Sequence, residues 1–393
     1  MSLTTSAELV THDDILKQIV FRLPVRSLVG FKCVSKHWQS LISSHLLYRN
    51  HNPKLISPYG LFIRRINHTK PEFAFVSFDR VKPGKPPLKS FDFVKFDKGF
   101  LKPGASGIIK VVQSCNGLLL CRTLTKNYYV YNPTTNQFTT IPKHDKDDLF
   151  SDPRGMTLVF DPLKSPYYKL VCVCLCGRIH VYSSENRIWM APSNKLLIHM
   201  DERLDFVAGV YCNGAVHWDG SEDVIYYKMD KKNKNCIYRI ALPKYVFNQS
   251  RYNRRRCYPL LVESHDSLLF IDVFHSCVEV DIYEMHRDYY GWFKLYHVNL
   301  SVIISQGDII SYTDFYVKHR NSYVVHCFVP RVGEEEAFLV IETPDDVIMR
   351  YNLESKTCQK LCDLDSSTPG ESWTERYDRG LRSFVFIESL ARV

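Results

Sequence analysis

Cys115-Asn116-Gly117-Leu118 and Tyr131-Asn132-Pro133-Thr134-Thr135-Asn136-Gln137-Phe138 are the two stretches on which the fold of this 393-residue chain turns. The first recurs as Cys212-Asn213-Gly214-Ala215, 97 positions later. The second is a strand ending in tyrosine, then a polar turn, then a large residue seven positions on. Tyr182 to Trp189 and Tyr351 to Cys358 keep that spacing, and weaker versions stand near Tyr227 and Tyr283.

A separation of 97 is near twice the period of roughly 50 residues found in kelch-type propeller blades, so the two Cys-Asn-Gly copies are expected two blades apart. The successive tyrosine intervals of 51, 45, 56 and 68 suit blades with loops of variable length. Each four-stranded blade buries its faces against its neighbours, which makes these aromatics blade-packing residues. A stacked antiparallel sandwich remains an alternative with the same strand content.

Outward from these stretches the pattern stays β. From Tyr59 onward apolar residues alternate with polar ones, as in residues 73–78, 90–96 and 177–182. Lys82-Pro83-Gly84-Lys85-Pro86-Pro87 breaks both helix and strand and reads as a loop. A ring needs its first and last edges joined, and residues 61–66 are expected to pair with residues 382–387.

Only the first fifty residues carry helical periodicity. Ile15, Ile19 and Leu23 fall four apart with Leu16 and Val20 alongside, which predicts a helix over residues 13–23, with Thr11 and Asp14 as its capping pair and Pro24 as its stop. Ser27 is expected to cap a second helix carrying Leu28 and Phe31. Ser35 is expected to cap a third in which Trp38, Leu41 and Ile42 share a face. The boundary with the β part falls near Asn50 to Pro53. A module of about 40 residues without disulfide or metal sits at the lower limit of independent stability, and its apolar stripes are too wide for internal burial. It is expected to dock, either on a partner or on the chain's own second domain.

Composition bounds the class. With 45% hydrophobic, 24% charged and 13% aromatic residues the chain is neither disordered nor a coiled coil. The net charge of +9 is spread along the length and speaks for solubility more than for a partner. The 13 cysteines are odd in number and contain no C-x-x-C pair, and no apolar leader opens the chain; a reducing, intracellular compartment is expected. The densest apolar run, residues 170–176, is far short of the roughly 20 residues a membrane span needs.

No constellation asks for catalysis, a cofactor or a metal. Cys172, Cys174 and Cys176 alternate on one strand face, but zinc sites draw on C-x-x-C knuckles or separated His pairs, and cysteine is a common core residue. Gly99 to Gly104 has phosphate-loop spacing with Ala105-Ser106 where lysine and Ser/Thr are needed. No G-x-S-x-G elbow or H-E-x-x-H pair occurs. Arg251, Arg254, Arg255 and Arg256, with Lys231, Lys232 and Lys234 upstream, form the most basic local stretch. They are the weak candidates for substrate binding, against the commoner reading of a solvated loop.

Residues 12–43, with Arg22-Leu23-Pro24-Val25, Ser27-Leu28 and Val34-Ser35-Lys36-x-Trp38, resemble an F-box. The remainder of the chain is similar to the F-box-associated interaction domain of plant F-box proteins, whose hallmarks are matched by Ser114-Cys115-Asn116-Gly117-Leu118-Leu119 and Tyr131-Asn132-Pro133-Thr134-Thr135. The resemblance implies a small all-α F-box of three helices over residues 1–50 and a mainly-β, β-propeller-like domain over residues 51–393. It further implies a substrate-recognition subunit of an SCF-type ubiquitin ligase, found in nucleus or cytoplasm. Its F-box would bind a Skp-type adaptor and, through it, a cullin scaffold; its second domain would capture a substrate protein for ubiquitination and degradation, with no chemistry on this chain.

Carried over by position, Ile15, Leu16, Ile19, Leu23, Pro24, Val25, Leu28, Val34 and Trp38 supply the adaptor-facing and helix-packing surface. The first fifty residues are expected to suffice for adaptor binding, and Leu23→Asp with Trp38→Ala to abolish it. One departure stands out: the family's Leu-Pro dipeptide is replaced by Thr11-His12, and loss of one apolar anchor weakens docking by about 1 to 3 kcal/mol. The alternative reading is therefore a propeller binding module with a degenerate F-box, taking protein or, less expectedly, nucleic acid without ligase function.

Overall fold

Pro24 sets the geometry of the helical part. The computed structural model describes residues 12–44, 58–65, 72–78, 109–123, 126–143, 153–174, 177–190, 206, 209–220, 223–229, 237–243, 260–273, 279–300, 323–343, 347–364 and 383–393. Its three helices are α1 (His12–Val20), α2 (Val25–Phe31) and α3 (Lys36–Ile42). α1 ends three residues earlier than its periodicity suggests. Arg22 N–H and Leu23 N–H bond back to the Ile19 and Val20 carbonyls in a tightened turn, since the residue before a proline is pushed out of the α region. The cap of α2 also differs from the expectation: Pro24, extended at ψ 145°, is the N-cap and Ser27 lies inside the helix. Ser35 does cap α3, its Oγ accepting from Trp38 N–H at 3.2 Å. Thr11 and the Asp14 side chain lie outside the described residues.

Among the described residues 23 strands follow in six antiparallel sheets. The first blade holds β1 (Gly60–Arg65) and β2 (Glu72–Ser77). The second is β3 (Ile109–Cys115), β4 (Leu118–Thr123), β5 (Tyr128–Asn132) and β6 (Gln137–Thr140). The third is β7 (Pro153–Val159), β8 (Lys169–Cys174), β9 (Ile179–Ser183) and β10 (Ile188–Met190). The fourth is β11 (Val210–Cys212), β12 (Ala215–Asp219), β13 (Asp223–Lys228) and β14 (Ile237–Ala241). The fifth is β15 (Leu260–Ser264), β16 (Ser267–Val273), β17 (Glu279–Met285) and β18 (Trp292–Asn299). The sixth is β19 (Val324–Val329), β20 (Phe338–Glu342), β21 (Val347–Asn352) and β22 (Cys358–Asp363).

β23 (Ser383–Phe386) then returns to the first blade beside β1, with Leu61 opposite Val385 and Phe62 opposite Phe384. This is the closure expected from the sequence. The innermost strands β23, β3, β7, β11 and β15 succeed one another round the ring, and β19 lies against β23.

A propeller has no single core. Six apolar clusters each draw on two neighbouring blades, from the first–second pair (Phe62, Val111, Leu119, Phe386) round to the sixth–first pair (Leu61, Val76, Phe338, Val340). Middle strands such as β20 are therefore buried along their whole length, whereas the outermost β6 and β10 are largely exposed. A sandwich would bury one face of each sheet; here both faces are covered.

The two Cys-Asn-Gly turns join β3 to β4 and β11 to β12, two blades apart as their spacing implies. Asn116 (φ 45°), Gly117 (86°), Asn213 (50°) and Gly214 (77°) give the paired positive φ of a two-residue hairpin. His265 (48°) and Asp266 (64°) make the same turn between β15 and β16 without a glycine, which hid it from a search for repeated letters. Tyr131, Tyr182 and Tyr351 face Phe138, Trp189 and Cys358 across their hairpins, while the longer turns of the fourth and fifth blades set Tyr227 opposite Ile237 and Tyr283 opposite Lys294. All five tyrosines are buried in interblade clusters. Residues 82–87, 90–96 and 99–104 lie outside the described residues.

Between the fourth and fifth blades His217 is fully buried. Its Nδ1 lies 3.3 Å from the Val210 carbonyl and its Nε2 3.0 Å from the Tyr289 hydroxyl. Both contacts are satisfied by neutral imidazole, and burial holds its pKa at about 4. The unfolded chain, with histidine near 6.5, takes up the proton first as pH falls, so stability is lost on acidification. Between pH 7 and pH 5 this group alone should remove roughly 2 kcal/mol, and His217→Gln should flatten that part of the slope in urea titrations at the two pH values.

Candidate functional site

The wide apolar stripe of α1 divides between inside and outside. Val20, with Val25, Leu28 and Ile42, is buried in a small core lined by Leu16, Leu23, Phe31, Trp38 and Leu41. Ile15 and Ile19, one turn apart, are each 50% exposed, and Val34, between α2 and α3, is 61% exposed. Pro24 is exposed as well. Of the nine residues singled out by position, Val25 and Leu28 are therefore core. Leu16, Leu23 and Trp38 pack around that core, Trp38 with its ring 5.2 Å from Phe31. Ile15, Ile19, Pro24 and Val34 face solvent. Leu23→Asp with Trp38→Ala would thus disturb the module's packing before it tested any contact.

One member of this core comes from the far end of the chain. Leu390, 3% exposed, lies in the same cluster. Around it the segment after β23 makes polar contacts with the helices. Glu388 forms an ion pair with Arg26, whose guanidinium also sits 4.6 Å from the centre of the Tyr59 ring, and Arg392 donates to the Ser43 carbonyl at 3.3 Å. Burial raises the Glu388 carboxyl above its ordinary pKa while Arg26 acts against the rise. Burial, helped by Arg392, lowers the Lys32 amine. The helices thus dock on the chain's own second domain through Leu390, Arg26 and Ser43, and Ile15, Ile19 and Val34 are left exposed among the described residues. Sequence reasoning missed Leu390, Glu388 and Arg392 because a short irregular segment after the last strand carries no periodicity.

On the propeller side Arg251, Arg254, Arg255 and Arg256 lie outside the described residues. Cys172 and Cys174 are buried on β8, Cys176 lies outside the described residues, and Cys358 and Cys362 are half-buried on β22. Among the described residues no group of His, Cys, Asp and Glu is arranged to hold a metal ion, and no helix is long and apolar enough to cross a membrane. Exposed apolar side chains recur on outer strands: Phe138 on β6, Ile188 and Met190 on β10, Phe293 and Leu295 on β18.

Comparison with known families agrees with this division. Residues 12–50 match the F-box domain and residues 94–362 the F-box associated beta propeller domain. The chain is 30% identical to the F-box protein At5g07610 of Arabidopsis thaliana over an aligned 425 residues, covering 99% of this chain and 94% of that protein. It is 27% identical to the F-box only protein 8 of the same plant, over 45% of this chain and 58% of that one. It is 25% identical to the Arabidopsis F-box/kelch-repeat protein At3g23880, over 56% and 62%.

The sorting of the helical residues is open to a direct check. Ile15→Asp and Val34→Asp change exposed positions and should leave the proteolysis of residues 12–44 as it is. Leu28→Ala opens a cavity worth about 2 to 5 kcal/mol and should speed tryptic cleavage at Lys32 and Lys36 by tenfold or more.

Proposed function

This chain belongs to the F-box proteins that carry an F-box-associated β-propeller, and we propose on that premise that it is the substrate-recognition subunit of an SCF-type ubiquitin ligase. The observation that carries the reading is the exposure of the apolar Ile15, Ile19 and Val34 on a helical module whose core is closed together with Leu390. An F-box implies a Skp-type adaptor as partner, with a cullin scaffold beyond it. Burying each of these side chains in an interface contributes up to about 1.5 to 3 kcal/mol, reduced by the part already covered. The family is one of non-catalytic adaptors, so this chain's contribution is proximity: it raises the concentration of one protein near a ubiquitin-charged enzyme. The substrate would be held by the propeller, residues 51–393, in an intracellular compartment, nucleus or cytoplasm. Its loops and outer strands differ from blade to blade and are where specificity would reside.

Titrating the full chain against a plant Skp-type adaptor tests this. Tight binding that falls at least tenfold in Ile19→Asp with Val34→Asp is the expected result. No binding by the natural sequence, or full binding by the double variant, would sink the assignment. Replacing Thr11-His12 by Leu-Pro is expected to tighten binding roughly five- to 150-fold, the factor equivalent to about 1 to 3 kcal/mol.

A further inference from the structure

The two family hallmarks of this sequence meet at one place, where Asn116 Nδ2 donates to the Phe160 carbonyl of the third blade at 2.7 Å and a segment from the end of the chain also lies. Asn132, fully buried at the end of β5, donates both hydrogens of its side-chain amide to the segment after β23: to the Ser389 carbonyl at 2.9 Å and the Ala391 carbonyl at 2.8 Å. Its Oδ1 accepts from Thr134 N–H at 2.9 Å, which fixes the turn, and Thr134 Oγ1 accepts from Ser389 N–H at 3.0 Å. Gly117, in the other hallmark, leaves room for the same segment. A Cβ there would stand 2.3 Å from Ser389 Cβ and 2.8 Å from the Ile387 carbonyl oxygen.

The molecule contains its own controls. Gly214, in the second Cys-Asn-Gly turn, has the same left-handed conformation, but among the described residues a Cβ there would have nothing within 4 Å of it. Asn352 follows Tyr351 as Asn132 follows Tyr131, yet among the described residues its side chain bonds locally, donating to Thr357 Oγ1 and accepting from Arg350 Nε. In the second Cys-Asn-Gly turn the same letters serve the neighbouring blade, Cys212 Sγ donating to the Asp266 carbonyl at 3.5 Å and the Asn213 side chain bonding to Tyr289. At Gly117 and Asn132 they grip a second piece of chain.

That piece is gripped on its other side by the helices. Residues 388–392 alternate between the two partners: Glu388 to Arg26, Ser389 to Thr134 and Asn132, Leu390 into the α1–α3 core, Ala391 into the second–third blade cluster, Arg392 to Ser43. We propose that residues 388–392 are a strap that fixes the F-box helices on the second blade. The Cys-Asn-Gly and Tyr-Asn-Pro-Thr hallmarks are then its seat on the propeller side, so that helices and propeller move as one body. For the ligase reading this sets a constant distance between adaptor and captured substrate, and that consequence alone rests on the function proposed above.

Hydrogen exchange on the full chain, read by mass spectrometry without any adaptor, separates this from the alternatives. Leu390→Asp removes the grip on the helices, Asn132→Ala the grip on the blade, and Asn352→Ala is the matched control. Expected is at least tenfold faster exchange across residues 12–44 in each of the first two, unchanged exchange in β11–β22 for both, and only local change near β21–β22 in the third. If Leu390→Asp leaves α1–α3 at wild-type rates, or if Asn132→Ala does so while Leu390→Asp does not, the segment is no strap and the proposal falls. Should Asn132→Ala unfold its blade, the milder pair Glu388→Gln with Arg392→Gln gives the reading: faster exchange in α1–α3 supports the strap, and no change overturns it. Because no adaptor enters the experiment, failure here leaves the adaptor reading standing.

Discussion

The antiparallel pairing of β1 with β23 is the contact on which the rest of the molecule depends. Every sheet in the ring is apolar on both faces, and each of the six clusters belongs to two blades, so no blade is finished until both its neighbours are in place. β23 supplies the innermost strand of the first blade and places Phe384 and Phe386 in the first–second cluster. It does so from more than three hundred residues away in sequence. The chain that leaves β23 then reaches the helices within a few residues. Closing the ring and seating the F-box are in that sense one structural event, and a lesion in either would be felt in the other.

How much of this the sequence disclosed follows from what each feature needs. The blade repeat was legible because an Asn-Gly turn and a tyrosine seven residues before its cross-strand partner are local requirements of hairpins, and local requirements leave letters in fixed places. The third hairpin of that type was not legible, because His265 and Asp266 reach the same left-handed backbone without glycine. The helices were found from periodicity, but their ends moved by a few residues where Pro24 acts on its neighbours through sterics rather than through capping. Of the nine helical positions, five are core or pack around it and four are exposed. Which of them are core and which are surface depended on Leu390, and no pattern in the first fifty residues points to it.

The strap also accounts for a difficulty of scale. Three helices of nine, seven and seven residues cannot by themselves bury enough apolar surface to stay folded, and the wide stripe on α1 was the sign of it. The structure buries one side of the stripe in a helical core completed by Leu390 of the chain's own second domain and leaves Ile15 and Ile19 on the other side exposed. An F-box that is complete only when the propeller is complete would, on the proposed function, present its adaptor face only on a folded receptor.

The most direct test of this account is the structure of the full chain bound to a plant Skp-type adaptor. The account expects the adaptor to cover Ile15, Ile19 and Val34, with Leu390 still in the helical core and Asn132 still holding residues 389 and 391. An adaptor seated elsewhere, or one that displaces Leu390 to bind, would contradict it.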